Sequence, residues 1–278
     1  MITSPQNEKL KEIRRLQRRH EDRFVAEGED LVEAAERAGW PEVYRLEAGV
    51  DVEAGLLDGV SGLGSGTRVL GVYERRLAPP RGPLCVALWG VRDPGNVGAV
   101  LRSALAFGAA SVALGPDCAD PFAPKAVRAS MGAIFALPVA RVTDPRELPG
   151  TRIGLAARTG APLASVLTDA LATPDGADGD ATILVGAERT GLPADVLAAC
   201  DVTAHIPIAT DSLNAAMAAT VALYEATRGP TAAGIPGGPP AAAPGEAGSG
   251  GPPATAPSAP ADAPARDAHR KPARVGPS

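Results

Sequence analysis

Apolar positions along this 278-residue chain fall into three regimes. In the first, Leu10, Ile13 and Leu16 recur at helical spacing, and EGEDLVEAAERAGW at 27–40 has the pattern of a second amphipathic helix, ended by Gly39 and Pro41. VYRLEA at 43–48 and TRVLGVY at 67–73 follow as short strands, so residues 1–78 are expected to form a small α/β domain. Pro79, Pro80, Gly82 and Pro83 within LAPPRGPL mark its boundary. Beyond it, six short apolar runs alternate with helical patterns: PLCVALW (83–89), SVALG (111–115), IFALPVA (134–140), RIGLAA (152–157), TILVGA (182–187) and VTAHIPI (202–208). Strands spaced in this way predict an α/β domain over 84–228 whose mostly parallel sheet is covered on both faces. Ligands of such sheets bind at the carboxyl ends of the strands, so chemistry is expected just after these runs. In the third regime, residues 229–278, Ile235 and Val275 are the only larger aliphatics among Pro, Gly and Ala. That composition buries too little apolar surface to offset its ordering entropy and predicts a disordered tail.

A formal net charge of −5 excludes a uniformly basic nucleic-acid binder, so any such contact needs a local patch. One candidate exists. Between Lys9 and Arg23 seven Lys/Arg stand against three Asp/Glu, and Lys11, Arg14, Arg15 and Arg18 share an arc opposite the apolar stripe. The arc suits phosphates, and it equally suits a solvated helix face. The basic end of the tail (Arg266, His269, Arg270, Lys271, Arg274) reads as solubilising. Cys85, Cys118 and Cys200 are too few and too widely spaced for a disulfide framework or a zinc site, and no metal is expected. No run approaches the ~20 apolar residues of a membrane span, and the N-terminus is unlike a signal peptide, so a cytoplasmic protein with no membrane partner is expected.

Several motifs are missing: a G-x-x-x-x-G-K-[ST] phosphate loop, H-E-x-x-H, and a G-x-G-x-x-G between strand and helix. GLGSG at 62–66 precedes a strand and reads as a loop, as does the acidic DGADGD with Asp175, Asp178 and Asp180. His20, His205 and His269 follow no relay spacing, and His205 reads as a sheet-end residue.

Three segments carry positive signals. In WGVRDPGNVGAVLRSALAFGA (89–109) a strand meets a Pro-Gly turn, Asn96 at a helix start as a possible cap, and then Arg102; Gly98, one turn before Arg102, leaves room for a close approach. In ILVGAERTGLP (183–193) an apolar strand runs into Gly186 and Glu188. In HIPIATDSLNAAMAATVALYEATR (205–228) a helix opened by Asp211 or Ser212 carries a Leu213, Met217, Thr220, Val221, Tyr224 stripe suited to a core or a dimer interface.

DPGNVGAVLRS, LVGAERTGLP and IPIATDSLNAAMA, in this order, resemble motifs one to three of the SpoU/TrmH family of RNA ribose 2′-O-methyltransferases, within the SPOUT superfamily. The resemblance covers residues 84–228. It implies a C-terminal trefoil knot, a homodimer, S-adenosylmethionine as methyl donor, and a small N-terminal RNA-recognition domain. Carried across by motif position, the candidate catalytic residues are Asn96, Arg102, Glu188, Ser212 and Asn214. The implied cofactor bed includes Leu184, Gly186, Ile206, Ile208 and Leu213. Arg189 stands where a glycine is common, and SLNAAM replaces the frequent SLNVSV.

The implied reaction is in-line attack of a ribose 2′-hydroxyl on a sulfonium methyl. A guanidinium keeps its proton in nearly all protein settings, so Arg102 is expected to stabilise the developing alkoxide and grip a phosphate rather than act as a base. Asn96 is expected to orient Arg102 or close a dimer site, with Glu188, Ser212 and Asn214 holding loops and ribose. With nine aromatic residues in the chain, recognition should be of RNA shape and phosphate, with the basic helix as guide. Ribosomal RNA is the expected substrate, with tRNA as the alternative. A non-catalytic RNA-binding or ribosome-assembly protein on the same fold is the rival of different class, and a nucleotide-binding enzyme lacks its phosphate loops.

Overall fold

In the computed structural model, residues 1–18, 21–62, 66–172 and 179–228 are described. His20, most of the GLGSG loop, Asp175, Asp178 and the 229–278 segment lie outside the described residues. The chain opens with α1 (Glu8–Leu16), whose Asn7 cap accepts from the Lys9 amide at 3.0 Å. Leu10, Ile13 and Leu16 are its buried face. The helix is shorter than the basic stretch predicts, because Arg23 already belongs to β1 (Arg23–Glu27), where a run of buried residues pairs with the sheet. After α2 (Glu29–Arg37), β2 (Glu42–Glu47), the short α3 (Ala54–Asp58) and β3 (Val69–Glu74), the first sheet is complete in the order β1-β3-β2, antiparallel throughout.

The second sheet begins with β4 (Leu84–Trp89), buried along its whole length, and continues through α4 (Pro94–Ala106), β5 (Ser111–Leu114), α5 (Pro124–Ser130), α6 (Ala133–Ala136) and β6 (Val139–Arg141). The 134–140 run, expected as one strand, is split between α6 and β6. A short apolar run satisfies either period, and Leu137 turns extended ahead of Pro138. The chain then crosses to the other side of β4 through β7 (Thr151–Leu155), β8 (Ala161–Pro162), α7 (Leu163–Leu171), β9 (Ala181–Gly186), α8 (Ala194–Ala198), β10 (Val202–His205) and α9 (Ala215–Thr227). Strand order is β6-β5-β4-β9-β7-β10-β8, and every pairing is parallel. The chain leaves β4 for β5 on one side while β9 lies on the other, so the strand order reverses at β4/β9. A crevice at the carboxyl ends is the geometric consequence.

β10 stops at His205, whose Nδ1 lies 3.1 Å from the Gly160 carbonyl, rather than running on to Ile208; Pro207 has no amide to continue a ladder. On α9 the expected apolar stripe is only partly inward. Ala215, Ala216, Ala219, Ala222 and Leu223 make the buried face. Met217 and Tyr224 are 61% and 46% exposed, and Thr220 hydrogen-bonds Ser103 of α4 at 2.8 Å. Small side chains bring α9 close to the sheet, which displaces the bulkier stripe outward.

The two sheets share an aromatic seam. Phe24 stacks on Phe135 and packs tilted against Phe122, at centroid distances of 5.7 and 4.9 Å, while Tyr73 and Trp40 meet Phe135 edge-on at 5.1 and 5.5 Å. Each such pair contributes ~0.5–1.5 kcal/mol beyond its area burial. Five of the chain's nine aromatic rings are thus committed to packing, not to a base-stacking surface. Beside the seam, the buried Glu27 carboxylate is satisfied by the Gly62 amide at 3.0 Å and the Ser61 hydroxyl at 3.2 Å, with the Arg128 guanidinium of α5 at 3.9 Å.

Gly98 shows how tightly α4 is held. A Cβ there would lie 2.3 Å from the Ala126 carbonyl oxygen and 2.7 Å from the Ala129 Cβ. The close approach that this glycine permits is therefore that of α5. Gly98→Ala is expected to cost about 3 kcal/mol, as over-packing against a backbone that cannot step aside, and to lower the melting temperature by roughly 6–12 °C. Thermal denaturation checks this; an unchanged melting temperature would contradict the packing described.

Candidate active site

The carboxyl ends of β4, β9 and β10 bring the three sequence segments together. Asp93 caps α4, its Oδ1 accepting from the Gly95 and Asn96 amides at 2.6 and 3.1 Å, and Pro94 occupies the first helical position, where its missing amide costs nothing. Asn96 is therefore not the cap but lies inside the first turn, its side chain free for other work. Lys125 holds the other side of Asp93 at 2.8 Å, and this hydrogen bond, joined by the two amides, keeps the Asp93 carboxyl below the usual aspartate range. A lowered carboxyl stabilises the fold above its unfolded pKa, and that contribution disappears as pH falls through the folded value.

The amide of Asn96 bridges two other motif residues. Its Nδ2 donates to Glu188 Oε1, and its Oδ1 accepts from Asn214 Nδ2 at 3.2 Å. Asn214 in turn caps α9, its Oδ1 accepting from the Ala216 and Met217 amides at 2.9 and 3.3 Å. The cap of this helix is thus Asn214 and not Asp211 or Ser212, because helical geometry starts only at Ala215. Asp211 pairs instead with Arg158. One hydrogen-bonded chain, Glu188 to Asn96 to Asn214, fastens loop ends that lie 92 and 118 residues from Asn96 in sequence.

Beside this chain lies a cavity of about 540 Å³. Ile206, Ile208, Ser212 and Leu213 line it from the segment between β10 and α9, and Gly186 to Leu192 line it from the end of β9. Leu155, Ala156 and Ala157 at the end of β7 close the far side. These three were not singled out in the sequence, although RIGLAA is a strand end and only its place beside β9 makes it part of the site. Leu184 is fully buried in the core beneath and does not line the cavity.

Gly186 is required for a reason other than ligand approach: a Cβ there would lie 2.1 Å from the Gly191 carbonyl carbon and 2.3 Å from the Leu192 nitrogen. The 187–191 turn folds directly back over it, closed by the Gly191 amide on the Ala187 carbonyl at 2.9 Å, with Gly191 at φ +66°. That turn presents Glu188 and a row of backbone groups to the cavity.

Arg102 lies six residues along α4 from Asn96, exposed and outside the lining of the cavity, and the Asn96 amide is hydrogen-bonded to Glu188 and Asn214 instead. The basic arc of α1 is largely engaged locally. Lys11 pairs with Glu8 at 2.8 Å, Arg15 with Glu21 at 2.9 Å, and Arg14 donates to the Pro5 carbonyl at 2.9 Å, while Arg18 stays exposed. Such solvated pairs are weak. Burial pushes the thiols of Cys85, Cys118 and Cys200 upward, so none is poised as a thiolate nucleophile. Among the described residues no cluster of His, Cys, Asp and Glu is placed to hold a metal ion, and no helix is long and apolar enough to cross a membrane.

A cavity of this volume, walled by Leu155, Leu192, Ile206, Ile208 and Leu213 with backbone polar groups at one rim, fits a ligand of cofactor size. Comparison with known proteins agrees with that reading. Residues 83–224 match the SpoU rRNA Methylase family. The 23S rRNA (uridine(2479)-2′-O)-methyltransferase of Streptomyces viridochromogenes is 41% identical over 142 residues, 49% of each chain. An uncharacterized tRNA/rRNA methyltransferase of Synechocystis is 32% identical over 85% of this chain and 96% of its own. The chain spans about half the length of several curated relatives that it matches. The crystal structure of an AdoMet-bound rRNA methyltransferase from Sinorhizobium meliloti superposes with a TM-score of 0.71 at 30% identity, covering 82% of this chain and 97% of the other. The parallel sheet, the three converging segments and a match over just over half of the residues have one common origin: the chain belongs to the SpoU rRNA methylase family.

Proposed function

We propose that this protein transfers a methyl group from S-adenosylmethionine to a ribose 2′-hydroxyl of RNA, with ribosomal RNA as substrate. The hydrogen-bonded chain Glu188–Asn96–Asn214 beside the strand-end cavity carries this reading, since it holds all three motif segments in one geometry. Gly186, Ile206, Ile208 and Leu213 would hold the cofactor, with Leu184 supporting them from beneath. When bound, S-adenosylmethionine supplies an electrophilic sulfonium methyl, so the protein's task is to place the hydroxyl and manage its charge. Glu188 and Asn214 hold the two loops, Ser212 contributes a hydroxyl at the cavity wall, and Asn96 fixes their spacing. Arg102 stabilises the alkoxide as it forms, while the proton leaves to an adjacent phosphate or to solvent.

Because Arg102 lies away from its own chain's cavity, the reading includes a homodimer in which α4 and α9 face a second copy. The exposed Leu105, Met217 and Tyr224 supply the apolar surface for that contact. A knotted path of the segment that ends in α9, and an RNA-guiding role for residues 1–78 with Lys11, Arg14, Arg15 and Arg18, belong to the same proposal. The test is transfer of labelled methyl to separated ribosomal RNA and tRNA, each lacking native modification. Label in ribosomal RNA is expected; label in tRNA alone would assign the other substrate class, and cofactor binding absent altogether would favour a non-catalytic RNA-binding role.

A further inference from the structure

A second cavity of about 740 Å³ lies across the 187–191 turn from the first. Trp89, Gly90, Pro116 and Asp117, at the carboxyl ends of β4 and β5, form one wall. The turn forms the other, so Glu188, Arg189 and Thr190 border both cavities. Asn96 lines the second cavity as well, so the Asn96–Glu188 hydrogen bond borders it.

Two guanidiniums edge this space. Arg92 is 79% exposed, and its ion pair among the described residues is with the similarly solvated Asp117, at 3.6 Å, a pairing too weak to hold it. Arg189 is exposed and has no hydrogen-bond or ion-pair partner among the described residues. Cations nearby are committed: Lys125 to Asp93 and Arg158 to Asp211. Trp89 is 6% exposed, so the cavity offers no ring face on which a base would stack. Of the carboxylates in its lining, Asp93 is paired with Lys125 and Glu188 accepts from Asn96, which leaves Asp117 as the one that competes for Arg92. Against these the cavity offers two flat, forked donors matched to phosphate oxygens.

We propose that Arg92 and Arg189 form a phosphate clamp. The second cavity receives the nucleotide adjoining the one methylated, and the two guanidiniums grip its backbone phosphate, with Arg92 leaving Asp117 to do so. This assignment rests on the methyltransferase reading and extends it to how the RNA strand is held past the reacting ribose. Phosphate contacts fix register without reading sequence, so the clamp sets where along the strand the hydroxyl falls.

The test is binding of an end-labelled transcript of large-subunit ribosomal RNA to the full chain, between about 50 and 200 mM salt. The variants are Arg92→Ala, Arg189→Ala, the double variant and the double lysine variant, with S-adenosylmethionine binding and methyl transfer measured in parallel. The double alanine variant is expected to bind RNA roughly tenfold more weakly, with a salt slope shallower by about 1, and Arg92→Ala, which lies outside the first cavity, to keep its cofactor affinity. The double lysine variant is expected to keep the slope. An unchanged slope in the double alanine variant overturns the clamp. So does a loss of cofactor affinity in Arg189→Ala with RNA binding intact, which would put that guanidinium on the cofactor's carboxylate. Methyl transfer separates the two claims: an active wild type with an unchanged slope sinks the clamp alone, and an inactive wild type with a slope lost in the variant sinks the reaction and leaves the clamp standing.

Discussion

Arg102→Ala is expected to slow methyl transfer by roughly 10²–10³-fold while cofactor affinity stays within about twofold of wild type. The ratio follows from the work assigned to the side chain. A preorganised cation aimed at a developing oxyanion acts in the transition state more than in the ground state, so its removal lowers kcat and leaves binding of the cofactor alone. Arg102 is exposed and away from the cavity lining, so the fold should tolerate the change and melting should shift little. Arg102→Lys keeps the charge but loses the fork, and an intermediate rate is expected. Single-turnover kinetics with saturating RNA checks both variants. Full activity of Arg102→Ala would remove this residue from the chemistry.

Gly186→Ala is expected to abolish measurable cofactor binding and to destabilise the protein by about 3 kcal/mol. The new methyl group would lie 2.1 Å from the Gly191 carbonyl carbon, so the 187–191 turn must move outward. That movement carries Glu188 off Asn96 and opens the wall shared by both cavities. A displacement of about 1 Å in such a constellation can cost 10²-fold in rate even where the fold survives. Calorimetric titration with S-adenosylmethionine, together with thermal denaturation, measures the two effects separately. Wild-type binding in this variant would contradict the turn's role as the cavity wall.

The parts of the fold legible in the sequence are those set by long apolar runs. β4 and β9 are buried along nearly their whole length and read as interior strands of a parallel sheet without ambiguity. What stayed hidden was decided between elements. Asn96, and Asp211 or Ser212, read as possible caps because Asp93, Asn96, Asp211, Ser212 and Asn214 crowd the two helix starts, and only the onset of helical backbone selects Asp93 and Asn214. The 134–140 run carried no period that separates helix from strand. Gly98 reads as a site of close approach and Gly186 as part of a cofactor bed, but what approaches is α5 in one case and the chain's own turn in the other. Leu155 to Ala157 join the site only because β7 pairs with β9, a neighbour relation that strand order creates and sequence spacing does not show. The convergence of Asn96, Glu188 and Asn214 was expected from motif resemblance, and their hydrogen bonds give it a physical basis.

Where the methyl group goes decides the function. The most direct measurement is to label ribosomal RNA with the protein and methyl-labelled S-adenosylmethionine, digest it completely to nucleosides and separate them. The label is expected to elute as a single 2′-O-methyl nucleoside and to be lost with Arg102→Ala. Label on a base, or a cofactor-bound protein that labels no RNA, would contradict it.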